Sequence, residues 1–271
     1  GSLGACGGRR GGDFALAGGT VTGAGMTVLH SSVNGNKIHL VGTTTGNTLL
    51  ALQWDFIGAG NLVLANTTTW SGGTMAGTGR TTVNVGVVVT VANGDPTLQR
   101  NFTNNGTVSI SAARFINFNN SVATLTNNGT IDLHGDGAAI DNFNAAAGTL
   151  VNNATVVRSV GTGTATISVP VTSSLAGIQM QAGTGTLAID AGGTLRGVGS
   201  VPAGATLDLR SANFTLNGAT LNGAGLTVLN SSFNGNKITL VGTTTVNTLL
   251  ALQADFIGAG NLVLANTTTW S

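Results

Sequence analysis

The sequence predicts an all-β chain, a right-handed parallel β-helix (β-solenoid) with coils of about 20–25 residues. Three observations carry that expectation: a composition rich in glycine and poor in charge, a short beat of asparagine and threonine phrases, and an internal repeat 200 residues long.

Glycine fills 43 of 271 positions, Asp, Glu, Lys and Arg together make only 7%, and hydrophobic residues reach 41%. Glu and Tyr are absent, and Lys stands only at Lys37 and Lys237. Helices write their solvent face largely with Glu, Lys, Gln and Arg, whereas Val, Ile, Thr and Leu alternating with Gly and Asn suit strands and turns. The apolar content, recurring in short regular runs, excludes a disordered chain. A net charge of +1 with no basic run beyond Arg9 and Arg10 leaves no electrostatic footprint for nucleic acid or an anionic membrane. Gly, Thr or Asn interrupts every apolar stretch well short of the roughly 18 residues that span a bilayer, so no membrane insertion of this segment is expected. Cys6 is the single cysteine, which rules out an intrachain disulfide. Leu3-Gly4-Ala5-Cys6 is similar to a lipoprotein cleavage box, but no charged start or apolar core precedes it, and it reads as chance. With neither an initiator Met nor a signal peptide, the chain reads as a mature or excised piece of something longer.

Residues 23–71 recur at 223–271, with six differences in 49 positions: Met26/Leu226, His30/Asn230, Val33/Phe233, His39/Thr239, Gly46/Val246 and Trp54/Ala254. A weaker match continues upstream through Phe14/Phe214, Leu16/Leu216 and Thr20/Thr220. The chain is therefore read as one continuous solenoid over 1–271, in which 1–200 is a full repeat unit and 201–271 begins a second.

Inside the unit a shorter beat sounds. Asn104-Asn105-Gly106-Thr107, Asn127-Asn128-Gly129-Thr130 and Asn152-Asn153-Ala154-Thr155 lie 23 and 25 residues apart, and Thr43–Thr45 and Thr67–Thr69 lie 24 apart. Alternating runs such as Thr107-Val108-Ser109-Ile110 and Thr130-Ile131-Asp132-Leu133 follow them, placing Val, Ile and Leu on one face of a strand. Stacked at about 4.8 Å per coil, the unit would make a rod on the order of 40–50 Å long. Asn104, Asn105, Asn127, Asn128, Asn152 and Asn153 are expected at corners that need positive φ, with equivalent side chains hydrogen-bonding up the stack as a ladder. Pro occurs only at Pro96, Pro170 and Pro202, so no Pro-rich hinge divides the chain into sandwiches or barrels.

Thr69-Trp70-Ser71-Gly72-Gly73-Thr74-Met75, Phe102-Thr103-Asn104-Asn105-Gly106-Thr107-Val108 and Gly161-Thr162-Gly163-Thr164-Ala165-Thr166-Ile167 resemble phrases of giant bacterial β-strand-repeat surface proteins. Ala191-Gly192-Gly193-Thr194-Leu195 resembles coils of autotransporter passengers and filamentous haemagglutinins. The resemblance covers essentially the whole chain, and it implies an exported, β-helical, extracellular or cell-surface protein of adhesin type. It carries over no catalytic residue.

Asp132, His134, Asp136 and Asp141 form the one notable polar cluster, the first three sharing a face if the strand stays extended through Gly135. A calcium site on Asp132, Asp136 and Asp141, or an acid/base pair, would make the chain a β-helical carbohydrate-binding or polysaccharide-degrading module. The alternative is a solvated face in which Arg114 and Arg158 form exposed inter-coil ion pairs with Asp132 or Asp136, worth about 0–1 kcal/mol each. The ion pairs are the preferred reading. His30 and His39 become Asn and Thr in the second copy, which disfavours histidine chemistry, and the change of Trp54 to Ala places that ring at the periphery. The threonine tracts are contiguous and patchy rather than regular on every coil, so an ice-binding hydroxyl array is not expected. The reading that results is a structural repeat segment of a filament or adhesin, with no catalytic residue, cofactor or metal. Its expected partners are neighbouring units, end to end or lateral, together with glycans or surfaces.

Overall fold

The computed structural model describes residues 2–3, 13–29, 35–119, 121–143, 148–231 and 235–270. Cys6, Arg9, Arg10, His30, Val33 and Phe233 lie outside them. The chain is an all-β parallel solenoid of about 11 turns. The one complete helical element among the described residues is a 3-10 turn at Leu175–Gly177.

Each coil lays three strands on three faces in a fixed order. Face I stacks Asn61–Leu64, Thr81–Val83 and Phe102–Asn104; face II stacks Thr68–Trp70, Val88–Val91 and Thr107–Ser111. Face III stacks Thr74–Ala76 on Phe56–Ile57 and below Thr97–Gln99, within a sheet of 13 strands. Long strands such as Thr43–Leu52 and Gly193–Ser200 run through the corner between faces I and II and join them into one sheet of 21 strands. On face I the in-register partners Thr45, Val63, Thr82, Thr103, Thr126 and Val151 are 18, 19, 21, 23 and 25 residues apart, so the coils run somewhat shorter than the sequence spacing predicts.

Alternation explains the core. In Thr107–Ser111 and Thr130–His134 every second residue points inward, so Val108, Ile110, Ile131 and Leu133 are at most 1% exposed. Each such side chain contributes roughly 1.5–3 kcal/mol of burial. Large rings fill part of the core: Trp70 on face II stacks on Phe102 of face I, with centroids 5.8 Å apart and planes within 1°.

Corners rely on close backbone approach. Gly58 and Gly77 stack with φ of 107° and 98°, and a Cβ on Gly77 would sit 2.2 Å from the Gly58 carbonyl oxygen. The Asn-Asn-Gly corners work differently from the sequence expectation. Among the described non-glycine residues only Asn93, Ala113 and Ser211 have positive φ, and neither Gly106 nor Gly129 does. Glycine is needed there for space: a Cβ on Gly129 would lie 2.1 Å from the Gly106 carbonyl oxygen.

The two copies of the repeat keep their internal pairing. Ile38 pairs with Phe56 as Ile238 pairs with Phe256, and Thr44 pairs with Leu62 as Thr244 pairs with Leu262. They do not keep their face. Phe14–Leu16 lies on face III, and nine full coils along that sheet lead to Ala205–Arg210; the counterpart of the first strand, within Phe214–Asn222, comes one strand later, on face I. The 200-residue repeat therefore makes nine and one-third coils, and the second copy is turned by one face. Side chains accommodate the move. Leu50 fills the space that a Cβ on Gly46 would occupy, while Val246, the counterpart of Gly46, is 1% exposed and enters the core itself.

Candidate functional site

Three features stand out along the wall: the aspartate cluster, the asparagine columns, and a row of threonines that the sequence concealed.

The aspartates are dispersed. Asp132 points outward from Thr130–His134 on face II, where its carboxylate accepts a 2.5 Å hydrogen bond from the Ser159 hydroxyl and lies 3.1 Å from His134 Nδ1. Gly135, with φ of 121°, then turns the chain, so Asp136 sits in the corner rather than in the strand. Asp141 ends Ala139–Asp141 on face III and accepts from the Asn142 N–H at 2.8 Å. No group of three or more His, Cys, Asp or Glu side chains able to hold a metal ion occurs among the described residues.

The arginines correct the sequence reading. Arg114 pairs with Asp95 at 3.4 Å, not with Asp132 or Asp136. Arg158 does meet Asp136, at 2.5 Å, but from inside: its side chain is 0% exposed and takes the inward position in register with Leu133, whose carbonyl oxygen it also reaches at 3.3 Å. The pair is half-buried rather than a surface pair. The Gly163 N–H and the Arg158 guanidinium hold the Asp136 carboxyl below the ordinary carboxylate range. Arg100 is a second buried arginine that sequence reasoning missed. At 2% exposure it threads into the glycine corner below it, donating to the carbonyl oxygens of Gly79 (3.0 Å) and Gly60 (2.5 Å), and burial pushes its pKa down to about 10. Arg158 takes the inward position two residues after the buried Val156, but its carbonyl and carboxylate partners lie a coil away in the sequence.

The asparagines form two columns. Asn104 Nδ2 donates to Asn127 Oδ1 (2.8 Å), Asn127 Nδ2 to Asn152 Oδ1 (2.7 Å), and Asn152 Nδ2 to the Ser173 hydroxyl (2.9 Å). All four residues are at most 5% exposed. Asn127 is fully satisfied: its amide also donates to the Thr155 carbonyl oxygen (2.7 Å), and its Oδ1 accepts from the Gly129 N–H (3.3 Å). Outside the corner, Asn153 donates to Asn128 and Asn128 to Asn105, at 2.9 and 3.0 Å. The inner column replaces aliphatic core, since Val83 lies in register below it and Leu195 above.

The third feature follows the outward centre of face I. From the first copy it runs Thr20, Thr45, Val63, Thr82, Thr103 and Thr126. It continues in unbroken register through Val151, Thr172, Thr194, Thr215 and Thr239 to Ile257. Nine of these twelve rungs are threonine and all are β-branched, each partly or fully exposed. Aligning the variable coil lengths thus brings out a β-branched column, threonine on nine of its twelve rungs, that the linear tracts do not show.

Trp54 is partly buried against the core edge, and its counterpart Ala254 packs there too. His39 pairs with Asp13 at 2.8 Å, and both change together, to Thr239 and Asn213. Asn213 keeps the other task of Asp13, accepting from the backbone N–H of Lys237 at 2.8 Å as Asp13 does from Lys37 at 2.9 Å. No protein-family model, no curated protein and no solved structure matches the chain.

Removing Asn127 breaks four hydrogen bonds and strands buried groups on both neighbouring coils. Asn127→Ala is expected to destabilise by about 2–4 kcal/mol, against about 0.5 kcal/mol for the exposed Asn128→Ala, as read from denaturant midpoints. The acid limb carries opposing contributions. Because the folded pKa of Asp136 is depressed, its stabilisation is present above its ordinary pKa and lost as pH falls through the folded value. Burial raises the carboxyls of Asp190 and Asp208, so their contribution is present at low pH and lost as pH rises through the raised values. In melting curves against pH, Asp136→Asn should be less stable than the parent at neutral pH and converge with it in acid. A constant gap would refute the assignment.

Proposed function

We propose that the chain is a structural repeat segment of an extracellular or cell-surface filament or adhesin, of the surface-protein type its phrases resemble, working without catalysis by stacking coil on coil into a rod. One observation carries this reading. Two copies of one coil sequence are built into a single stack: in the first copy Leu64 and Trp70 are 0% exposed between neighbouring coils, and in the second the same strands pair in parallel on the coil before them. Coil adds to coil through parallel backbone pairing and apolar side chains over a dry core. The Asn columns support the same reading, because they hold successive coils in a single register.

The test is end-to-end growth. In electron micrographs and light scattering the chain should form rods longer than one molecule as concentration rises. Rods that never exceed one chain at any concentration would remove the end-stacking mode.

A further inference from the structure

We infer that face I is a lateral docking surface for a second copy of this chain, with the threonine row at its centre. The inference rests on the rod reading above and adds the direction in which rods associate.

Comparison of the two copies gives the first support. Ala15 and His39 lie on face III, but the one-face rotation carries their counterparts to face I, and there Thr215 and Thr239 stand instead. The row is therefore continuous along the rod even where the repeat would have interrupted it with Ala and His. A property kept by the face, across a change of repeat frame, belongs to the assembled rod.

The chemistry of the face selects the partner. Between Asn101 and Ser174 its outward positions on four successive coils are Asn, Thr, Val, Ser and Pro, without a charge or an aromatic ring. Such a patch offers no ion for an acidic or basic ligand and no ring on which a sugar could stack. It offers methyl and hydroxyl groups at the coil spacing of about 4.8 Å, a pitch that a second copy reproduces along its whole length. With a net charge of +1, two copies repel each other little. The whole strip, twelve rungs long and one strand wide, covers roughly 50 by 15 Å, about 750 Å² per partner, close to the roughly 800 Å² per partner of a standard stable complex; beyond the uncharged four coils it carries Arg80, Arg196 and the Lys237–Asp255 ion pair at its outer positions.

Small-angle X-ray scattering of the full chain separates lateral from axial association, because side-by-side pairing raises mass per unit length and end-to-end joining does not. The parent chain should double its mass per unit length as concentration rises. Thr103→Lys with Thr172→Lys, both outward on face I, should abolish the doubling while circular dichroism and melting stay unchanged. Thr90→Lys with Gln179→Lys, outward on face II, adds the same charge and should leave the doubling intact. Single-width rods at every concentration would overturn the inference while leaving end-to-end growth standing. So would doubling that survives the face I substitutions or disappears with those on face II. Single-width rods whose inhibition of ice recrystallisation depends on Thr103 and Thr172 would assign the row to ice and equally overturn it.

Discussion

In-register parallel stacking is the constraint on which the rest depends. Within the paired strands each residue sits above its counterpart one coil below, apart from register shifts after Thr22, Leu133 and Arg196, so side chains live in columns, and a column is stable only if its members suit one another. The inner asparagine column shows the strictness of this rule. One buried amide among leucines would be left unpaired at a cost of about 1–3 kcal/mol, whereas three in succession, closed by Ser173, satisfy each other. Arg100 obeys the same rule in another way, since its guanidinium is accommodated by the glycines at Gly79 and Gly60 beneath it.

The sequence exposes what is local to a coil and hides what lies between coils. Alternation in Thr107–Ser111 and the recurring Asn-Asn-Gly-Thr phrases reveal strands, coil length and stacked asparagines, because these repeat at nearly constant spacing. The threonine row is invisible in one dimension because the spacing of its members drifts between 18 and 25 residues. Burial of Arg158 and Arg100 is hidden for a related reason: their carbonyl and carboxylate partners lie at sequence distances of 21 to 40 residues. The apparent cluster at Asp132, Asp136 and Asp141 errs in the opposite direction. Those residues are near in sequence, yet Gly135 and a change of face separate them.

The repeat and the coil are two periods that do not divide evenly. A strand sequence such as Ile-x-Leu serves on face III as Ile38–Leu40 and on face I as part of Lys237–Val241, because both faces ask only for inward aliphatic residues over parallel neighbours. The outward residues differ between those settings, His39 against Thr239, which separates what the coil requires from what the face presents.

The most direct test of this account is a crystal structure or high-resolution density map of the chain, in which the strand at Ile38–Leu40 and its counterpart within Lys237–Val241 are located on the cross-section. The account predicts adjacent faces, a third of a turn apart after nine intervening coils. Both strands on one face, with a whole number of coils in the repeat, would contradict it.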